Sequence, residues 1–405
     1  MVQRRRSADV IHRILLGRSL RSFADGFIAV VLPAYLLALG MGQVEVGVVS
    51  TATLLGSAFM TLAVGRWGHL FSIRRLLLAA ALLMAGTGVA FAGFSAFWPL
   101  LVVAFFGTLN PSSGDASVFM PLDHTMLATA TDRTGVFARY SFLGSMAGAV
   151  GALISGLPEW LGARMSMLDA LRLMFVLYAA VGVAVWFLYR RLPEAHADEQ
   201  KPAAPLGPSR GIVWRLAALF SVDSFAGGLV LNSLLALWLF ERYGMSLAAA
   251  GAFFFWTGLL SACSQLAAGP LARRIGMVNT MVFTHIPSSL CLIGAALASS
   301  QEVTLALLLV RSLLSQMDVP ARGAFVMTVV TPAERPAAAS FTAVPRSLAA
   351  AISPSITGVM FAAGAMAAPL VACGVLKIAY DLALFAAFRR VEATAASKSP
   401  ASSVT

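Results

Sequence analysis

Runs of about twenty apolar residues recur roughly every thirty positions along this 405-residue chain, and that pattern fits a polytopic membrane protein. Only 12% of its residues are charged, roughly half of what a soluble protein of this length carries, and the mean hydropathy is +0.83. In lipid the backbone must satisfy its own hydrogen bonds, so the runs are expected to be helices and an open sheet is excluded. Periodicity and loop signals place twelve spans, at 17–40, 44–65, 75–94, 98–127, 134–157, 169–189, 212–240, 247–270, 277–299, 303–330, 336–361 and 364–388. The fourth and tenth are long and interrupted by prolines and polar residues.

Orientation follows from the basic residues. With the N-terminus inside, nineteen Lys and Arg fall in cytoplasmic segments and three, Arg164, Arg172 and Arg242, on the opposite side. Both termini are therefore expected in the cytoplasm. This distribution also accounts for the net charge of +11 without a nucleic-acid partner. Arg4 to Arg6 lead into Asp9, His12 and Arg13, so no cleavable signal peptide is expected. Cys263, Cys291 and Cys373 lie far apart, with no metal or disulfide spacing; they read as inert buried thiols, with a soft-metal or arsenical site as the alternative. No metal and no cofactor is expected.

Residues 191–211, rich in proline and polar groups, read as a flexible cytoplasmic linker. It separates an N-terminal six-helix bundle, 1–190, from a C-terminal one, 212–390, and 391–405 read as a disordered cytoplasmic tail. The halves repeat. Gly65, Trp67, His69 and Ser72 align at an offset of 204 with Gly269, Leu271, Arg273 and Gly276, and Asp25 aligns with Asp223 at 198. Near-constant offsets imply duplication and two pseudo-symmetric bundles.

Four acids lie within the apolar runs: Asp25, Asp115, Asp223 and Asp318. A carboxyl at the centre of a membrane helix costs at least about 2.5 kcal/mol on insertion scales, so each is a proton-coupling candidate. Asp25 follows Arg18 and Arg21 on one helical face, which leaves open a protonatable carboxyl or a static Arg–Asp pair. The fourth span reads Asn110-Pro111-Ser112-Ser113-Gly114-Asp115, an irregular stretch that marks a solute pathway or a packed kink. Asn110, Ser112 and Ser113 are substrate-binding candidates there, with Asp123 and His124 read as a solvated helix end. In the tenth span Arg311, Gln316 and Arg322 join Asp318; Arg311 either clamps an anion or neutralises Asp318. Arg139 of the fifth span is a further anion candidate. Lys377 and Asp381, one turn apart, read as a structural pair, and His285 with the Phe253–Trp256 run as packing.

The loop after the second span, Gly65-Arg66-Trp67-Gly68-His69-Leu70-Phe71-Ser72-Ile73-Arg74-Arg75, and its repeat, Gly269-Pro270-Leu271-Ala272-Arg273-Arg274-Ile275-Gly276, carry a family signature. With the 6+6 spans and cytoplasmic linker, the chain resembles the major facilitator superfamily over essentially its whole length. The signature of that family is Gly-x-x-x-Asp-Arg-x-Gly-x-Arg-Arg; His69 and Arg273 stand in place of the acid. The resemblance implies an all-α fold of twelve transmembrane helices. It also marks Gly65, His69, Arg74, Arg75, Gly269, Arg273, Arg274 and Gly276 as gating-loop residues. Gly135, Gly144, Gly148 and Gly151 of the fifth span partly resemble the glycine pattern of bacterial drug/proton antiporters, or pack helices closely.

These readings imply a monomeric, non-enzymatic secondary transporter in a bacterial inner membrane, working on a small-molecule substrate amid membrane lipid. No Gly-Lys-Ser/Thr nucleotide loop occurs, so an ion gradient, that of H+, is expected to drive it. Export of a small organic or toxic solute by alternating access is the first expectation. Uptake or exchange of a small anion is the alternative, and a membrane sensor or embedded enzyme is the contrasting class.

Overall fold

The computed structural model describes residues 2–112, 117–127, 133–194, 206–331 and 334–398, with side chains omitted at 2–7, 133–134, 336 and 390–398. Apart from short 3-10 turns, the regular elements are α-helices: α1 (Val2–Ala38), α2 (Gln43–Trp67), α3 (Ile73–Gly93), α4 (Phe97–Phe106), α5 (Phe119–Leu127), α6 (Arg133–Ile154), α7 (Leu157–Leu161) and α8 (Met167–Tyr189). The second half continues with α9 (Arg210–Gly228), α10 (Asn232–Tyr243), α11 (Leu247–Ile275), α12 (Met277–Leu297), α13 (Gln301–Leu314), α14 (Asp318–Val329), α15 (Arg335–Ala362) and α16 (Ala368–Lys398).

Among the described residues, ten helical stretches have the length and apolarity to cross a membrane. The expected fourth span is instead broken into α4 and α5, and α15 has the length but is rich in Ser, Thr and Pro. The tenth span breaks between α13 and α14 at Ser315–Met317, as its composition suggested. The seventh breaks too, between α9 and α10, where Gly227-Gly228 interrupts a run that reads as continuous. α16 runs on to Lys398, because the Ala-rich sequence after residue 390 keeps its helix propensity.

Caps set several of the ends. Ser72, Ser166 and Ser300 each accept an N–H from three residues on, at Arg75, Asp169 and Val303 (3.4, 3.1 and 3.2 Å). Gly244 closes α10 in the left-handed conformation, at φ 60°.

By Cα proximity the chain separates into two compact units. The first comprises Met1–Gln200, Val230–Leu259 and Ala351–Met366; the second comprises Lys201–Leu229, Leu260–Ala350 and Ala367–Thr405. In the first unit α1 packs on α6, α8 and α10, and α3 packs on α8. The glycines of α6 permit the α1 approach. A Cβ on Gly26 would lie 2.0 Å from the Gly148 carbonyl oxygen, and one on Gly151 would lie 2.0 Å from that of Phe23. Close backbone packing therefore accounts for Gly148 and Gly151 of that pattern.

In the second unit α12 packs on α13, α14 and α16, and α16 packs on α9. Its core is Val213, Phe220, Met281, Phe325, Leu384 and Phe388 with their neighbours. Large side chains such as Trp98, Phe106, Phe187, Phe283 and Leu297 remain exposed on helix surfaces, which suits contact with lipid tails.

Candidate functional site

A buried cluster of charges forms within the second unit, from four helices whose inward faces are otherwise apolar. On α9, Leu216, Phe220 and Asp223 follow one another at helical spacing, so Asp223 is carried inward by its apolar companions. On α12 the same spacing aligns Val278, Met281, His285 and Leu292, and on α16 it aligns Lys377, Asp381, Leu384 and Phe388. α14 begins at Asp318, and Arg322 lies one turn later.

Asp223 is the hub. Lys377 Nζ donates to its Oδ1 at 2.7 Å, and Arg322 lies 3.1 Å from its Oδ2. Arg322 also pairs with Asp318. His285 has Nδ1 at 3.1 and 3.0 Å from the two carboxylate oxygens of Asp381, and Nε2 at 3.3 Å from Lys377 Nζ. The Arg322 guanidinium stands 5.3 Å from the centre of the Phe220 ring. The three carboxylates are 4, 3 and 0% exposed for Asp223, Asp318 and Asp381. Arg346 of α15 approaches the edge, its Nε donating to Ser224 Oγ at 3.2 Å.

With His285 neutral, Lys377, Arg322 and Arg346 balance Asp223, Asp318 and Asp381. Burying one ion costs several kcal/mol, about the scale on which pairing and hydrogen bonds must compensate, so this balance is what makes the cluster tolerable. A group that gains or loses a proton here would disturb every pair.

The expected pairings are redistributed. Lys377 does not pair with Asp381; a turn of helix points the two at different partners, Lys377 at Asp223 and Asp381 at His285. His285 is thus part of the charge cluster as well as packed. Arg311 does not neutralise Asp318, which takes Arg322 from its own helix. The Arg311 guanidinium instead lies near Cys291 and Cys373 and meets no carboxylate among the described residues. Gln316 sits in the break before α14, half-buried.

A second cluster lies in the first unit. Arg21 of α1 reaches Asp123 Oδ2 of α5 at 2.5 Å and the Tyr189 hydroxyl of α8, and Tyr140 of α6 donates to the same Oδ2 at 2.9 Å. Phe119 lies 4.1 Å beneath the guanidinium. Asp123 is 0% exposed, so the sequence reading of a solvated helix end is wrong. The break before α5 resets the helical phase and turns Asp123 inward with Phe119 and Met126. Arg21 is accordingly used by Asp123. Asp25 is buried one turn deeper, within electrostatic reach of Tyr178.

The irregular fourth span is only partly described: Ser113, Gly114 and Asp115 lie outside the described residues. Asn110 is buried, and its Oδ1 accepts from Ser112 N and Oγ at 3.1 and 2.7 Å, a compact Asx turn. The Pro111 carbonyl accepts from Ser233 N at 3.1 Å, so α10 satisfies the backbone group freed by the break. Arg139 lies exposed on α6, outside both clusters. Of the signature residues, Gly65, His69, Arg75, Arg273 and Arg274 are exposed and Arg74, Gly269 and Gly276 half-buried; Ser72, at the place of a family glycine, caps α3. Gly276 takes φ 91° before α12, a backbone state that suits glycine. An apolar cavity of about 290 Å³ lies in the first unit between Leu37, Leu171, Phe240 and Met245, with Glu159 at its edge and none of the candidate residues in its wall. No group of three His, Cys, Asp or Glu fit to hold a metal occurs among the described residues.

A sequence signal for His285 existed. It stands in an apolar helix on the buried face, and Asp381 and Lys377 occupy one face of another. What sequence could not provide was that α12, α16 and α9 bring those faces together.

Solved structures share this architecture. The nucleoside transporter NupG superposes at a TM-score of 0.72 with 13% identity, covering 94% of this chain and 99% of its own. The xylose transporter XylE from E. coli, in an inward open conformation, gives 0.72 with 14% identity over 93% and 96%. The human organic anion transporter MFSD10 gives 0.64 with 19% identity over 93% and 99%. A membrane protein of Saccharomyces cerevisiae, YJR124C, is 24% identical over an alignment of 419 positions, gaps included, that covers 92% of this chain and 93% of that protein. The profile of the Major Facilitator Superfamily matches residues 14–317, about three quarters of the chain, which therefore belongs to the Major Facilitator Superfamily of membrane transporters.

Proposed function

We propose that the chain is a proton-coupled secondary transporter of a small organic solute, with the Asp223–Lys377–Arg322–Asp318–His285–Asp381 cluster as its coupling site. The observation that carries this reading is the cluster itself: three carboxylates share two cations, Lys377 and Arg322, and one imidazole inside apolar helices. Structural pairing alone needs no such sharing. A titrating site does, because one added proton must find a new distribution of partners. Asp25, on the pseudo-symmetric place, is the proposed counterpart in the first unit, and export is the proposed direction. Both termini are proposed to face the cytoplasm and the chain to act as a monomer.

A second reading, transport of a small anion, is favoured by Arg311 and Arg346. Neither meets a carboxylate among the described residues, and each can offer a planar fork to one. The name of MFSD10, an organic anion transporter, agrees with it in kind.

The test is flux in proteoliposomes containing the full chain, with labelled uridine, xylose and benzoate as probes, and with or without an imposed pH gradient. Gradient-dependent movement of any probe that Asp223→Asn abolishes supports the proposal. Flux indifferent to the gradient overturns proton coupling, and benzoate alone moving selects the anion reading.

A further inference from the structure

His285 stands between a carboxylate and an ammonium, and their chemistry fixes its hydrogens. Lys377 Nζ donates at 2.7 Å to Asp223, which keeps it an ammonium, and an ammonium has no lone pair. At 3.3 Å from Nζ, His285 Nε2 is therefore the acceptor. The single hydrogen of the neutral ring must then be on Nδ1, which faces both oxygens of Asp381 at 3.0 and 3.1 Å. Asp381, fully buried, hydrogen-bonds to no other side chain among the described residues: it holds the ring by one nitrogen and leaves the lone pair on the other.

We infer that His285 is the proton-accepting group of the coupling site, that Asp381 is its positioning residue, and that protonation passes Asp223 from Lys377 to His285. The inference rests on the proposed proton coupling. A hydronium ion on the water side gives its proton to the Nε2 lone pair: one O–H bond breaks, one N–H bond forms, water is left, and the imidazolium carries the added charge. Nε2–H then faces Lys377 cation to cation. Asp223 Oδ1, only 3.9 Å from Nε2, is the acceptor within reach. Its capture by His285 releases the Lys377 ammonium, and the cluster, formerly balanced, holds one positive charge in excess.

The other groups facing His285 are consistent with this course. Tyr380 stacks edge-on at 6.2 Å between ring centres. Arg322 holds both Asp318 and Asp223, and Arg346 lies at the edge on Ser224. None of the three offers the ring a competing acceptor in its present rotamer.

The decisive measurement is nitrogen-15 solid-state NMR of the full chain, labelled at histidine, in lipid bilayers, with His285 assigned by difference from His285→Gln. At neutral pH the wild type is expected to show a protonated Nδ1 and a bare Nε2, and Asp381→Asn to lose that preference, giving a mixture or the opposite tautomer. Asp381→Glu should restore it. If Asp381→Asn does not fold, Lys377→Met serves: with the donor gone, an Nε2–H population should appear. A wild type with the proton on Nε2, or variants indistinguishable from it, overturns the inference whatever the flux assay returns. A correct tautomer in a protein whose flux ignores the pH gradient overturns the proton-coupling reading instead.

Discussion

Lys377 Nζ lies 2.7 Å from Asp223 Oδ1, joining α16 to α9 across the interior of the second unit. The side chains are 13 and 5% exposed, so each is withdrawn from water and depends on the other. Removal of one member leaves an uncompensated charge, and for buried pairs that costs about 3–5 kcal/mol. Lys377→Met is therefore expected to lower the melting temperature in detergent or lipid substantially. Asp223 retains Arg322, which places the loss at the lower end of that range. The double variant Lys377→Met with Asp223→Leu should recover much of it. A double variant no more stable than either single one would show that packing, not charge, is at stake.

The Arg21–Asp123 pair makes a comparable demand in the first unit, with Tyr140 and Tyr189 completing it. Tyr140→Phe removes one donor to Asp123 Oδ2, while Asp123 Oδ1 has no hydrogen-bond partner among the described residues. The expected cost is about 1.5–3 kcal/mol, that of a hydrogen bond to a charged group. Thermal unfolding of Tyr140→Phe against wild type measures it. A change within error would mean that water reaches the carboxylate.

The pattern of apolar runs was legible because it depends on local composition and spacing, whereas most of the expected linker, 195–205, lies outside the described residues. Breaks at Pro111 and near Gln316 were legible for the same reason, while the break after Gly228 was masked by strongly apolar flanks. Residue types in the charge cluster were also visible. Its pairings were not. Lys377 and Asp381 are neighbours on one helix, so sequence spacing joins them, yet their partners come from α9 and α12. Arg21 and Asp25 were joined by the same reasoning, but Asp123 arrives from a helix whose phase is set by a break. Pairing across helices depends on which faces meet, and one chain read alone carries little information about that.

Glu334 gives a prediction for pH. Its carboxylate accepts from the backbone N–H of Gly207 and, at 3.3 Å, of Ser209, and from the Thr331 hydroxyl at 2.6 Å, tying the α14–α15 connection to the start of α9. The side chains of Ser209 and Thr331, and after them the Gly207 N–H, hold its pKa down to about 2 from an ordinary value of 4.5. A depressed carboxylate stabilises fully above its unfolded value, and the contribution is lost as pH falls through the folded one. Glu334→Gln should thus melt lower than wild type at neutral pH, and the gap should close between about pH 4.5 and 2. A gap of constant size over that window would show that the ionised form is not what matters.

Glu159 tests a different helix terminus. Its two oxygens accept from Leu247 N at 2.5 Å and Ala248 N at 3.1 Å, the first turn of α11, where the helix dipole favours a negative charge. Glu159→Ala leaves those N–H groups to solvent. Hydrogen exchange at 247–249 should quicken by roughly tenfold, as expected for a loss near 1 kcal/mol or slightly more at a cap. Unchanged exchange would mean that Ser246, whose Oγ accepts from Ala249 N at 3.1 Å, caps the helix unaided.

Arg311 provides the sharpest contrast between sequence spacing and geometry. Seven residues before Asp318, it shares a helical face with that acid if the tenth span is one helix. The break at Ser315–Met317 removes the shared phase, and Asp318 takes Arg322, one turn further on, as its partner. Residues without shared partners have stability effects that add to within about 0.5 kcal/mol, whereas paired ones deviate. The cycle Arg311→Ala with Asp318→Ala is therefore expected to be additive, and the cycle Arg322→Ala with Asp318→Ala to show coupling of about 1 kcal/mol or more. Thermal or denaturant unfolding of the wild type and the five variants decides it. Coupling between Arg311 and Asp318 would place the arginine back in the charge cluster and remove it as a free anion clamp. Additivity leaves its guanidinium uncommitted, and Arg311→Lys should then weaken benzoate binding without a matching loss of stability, because the ammonium keeps the charge but not the fork.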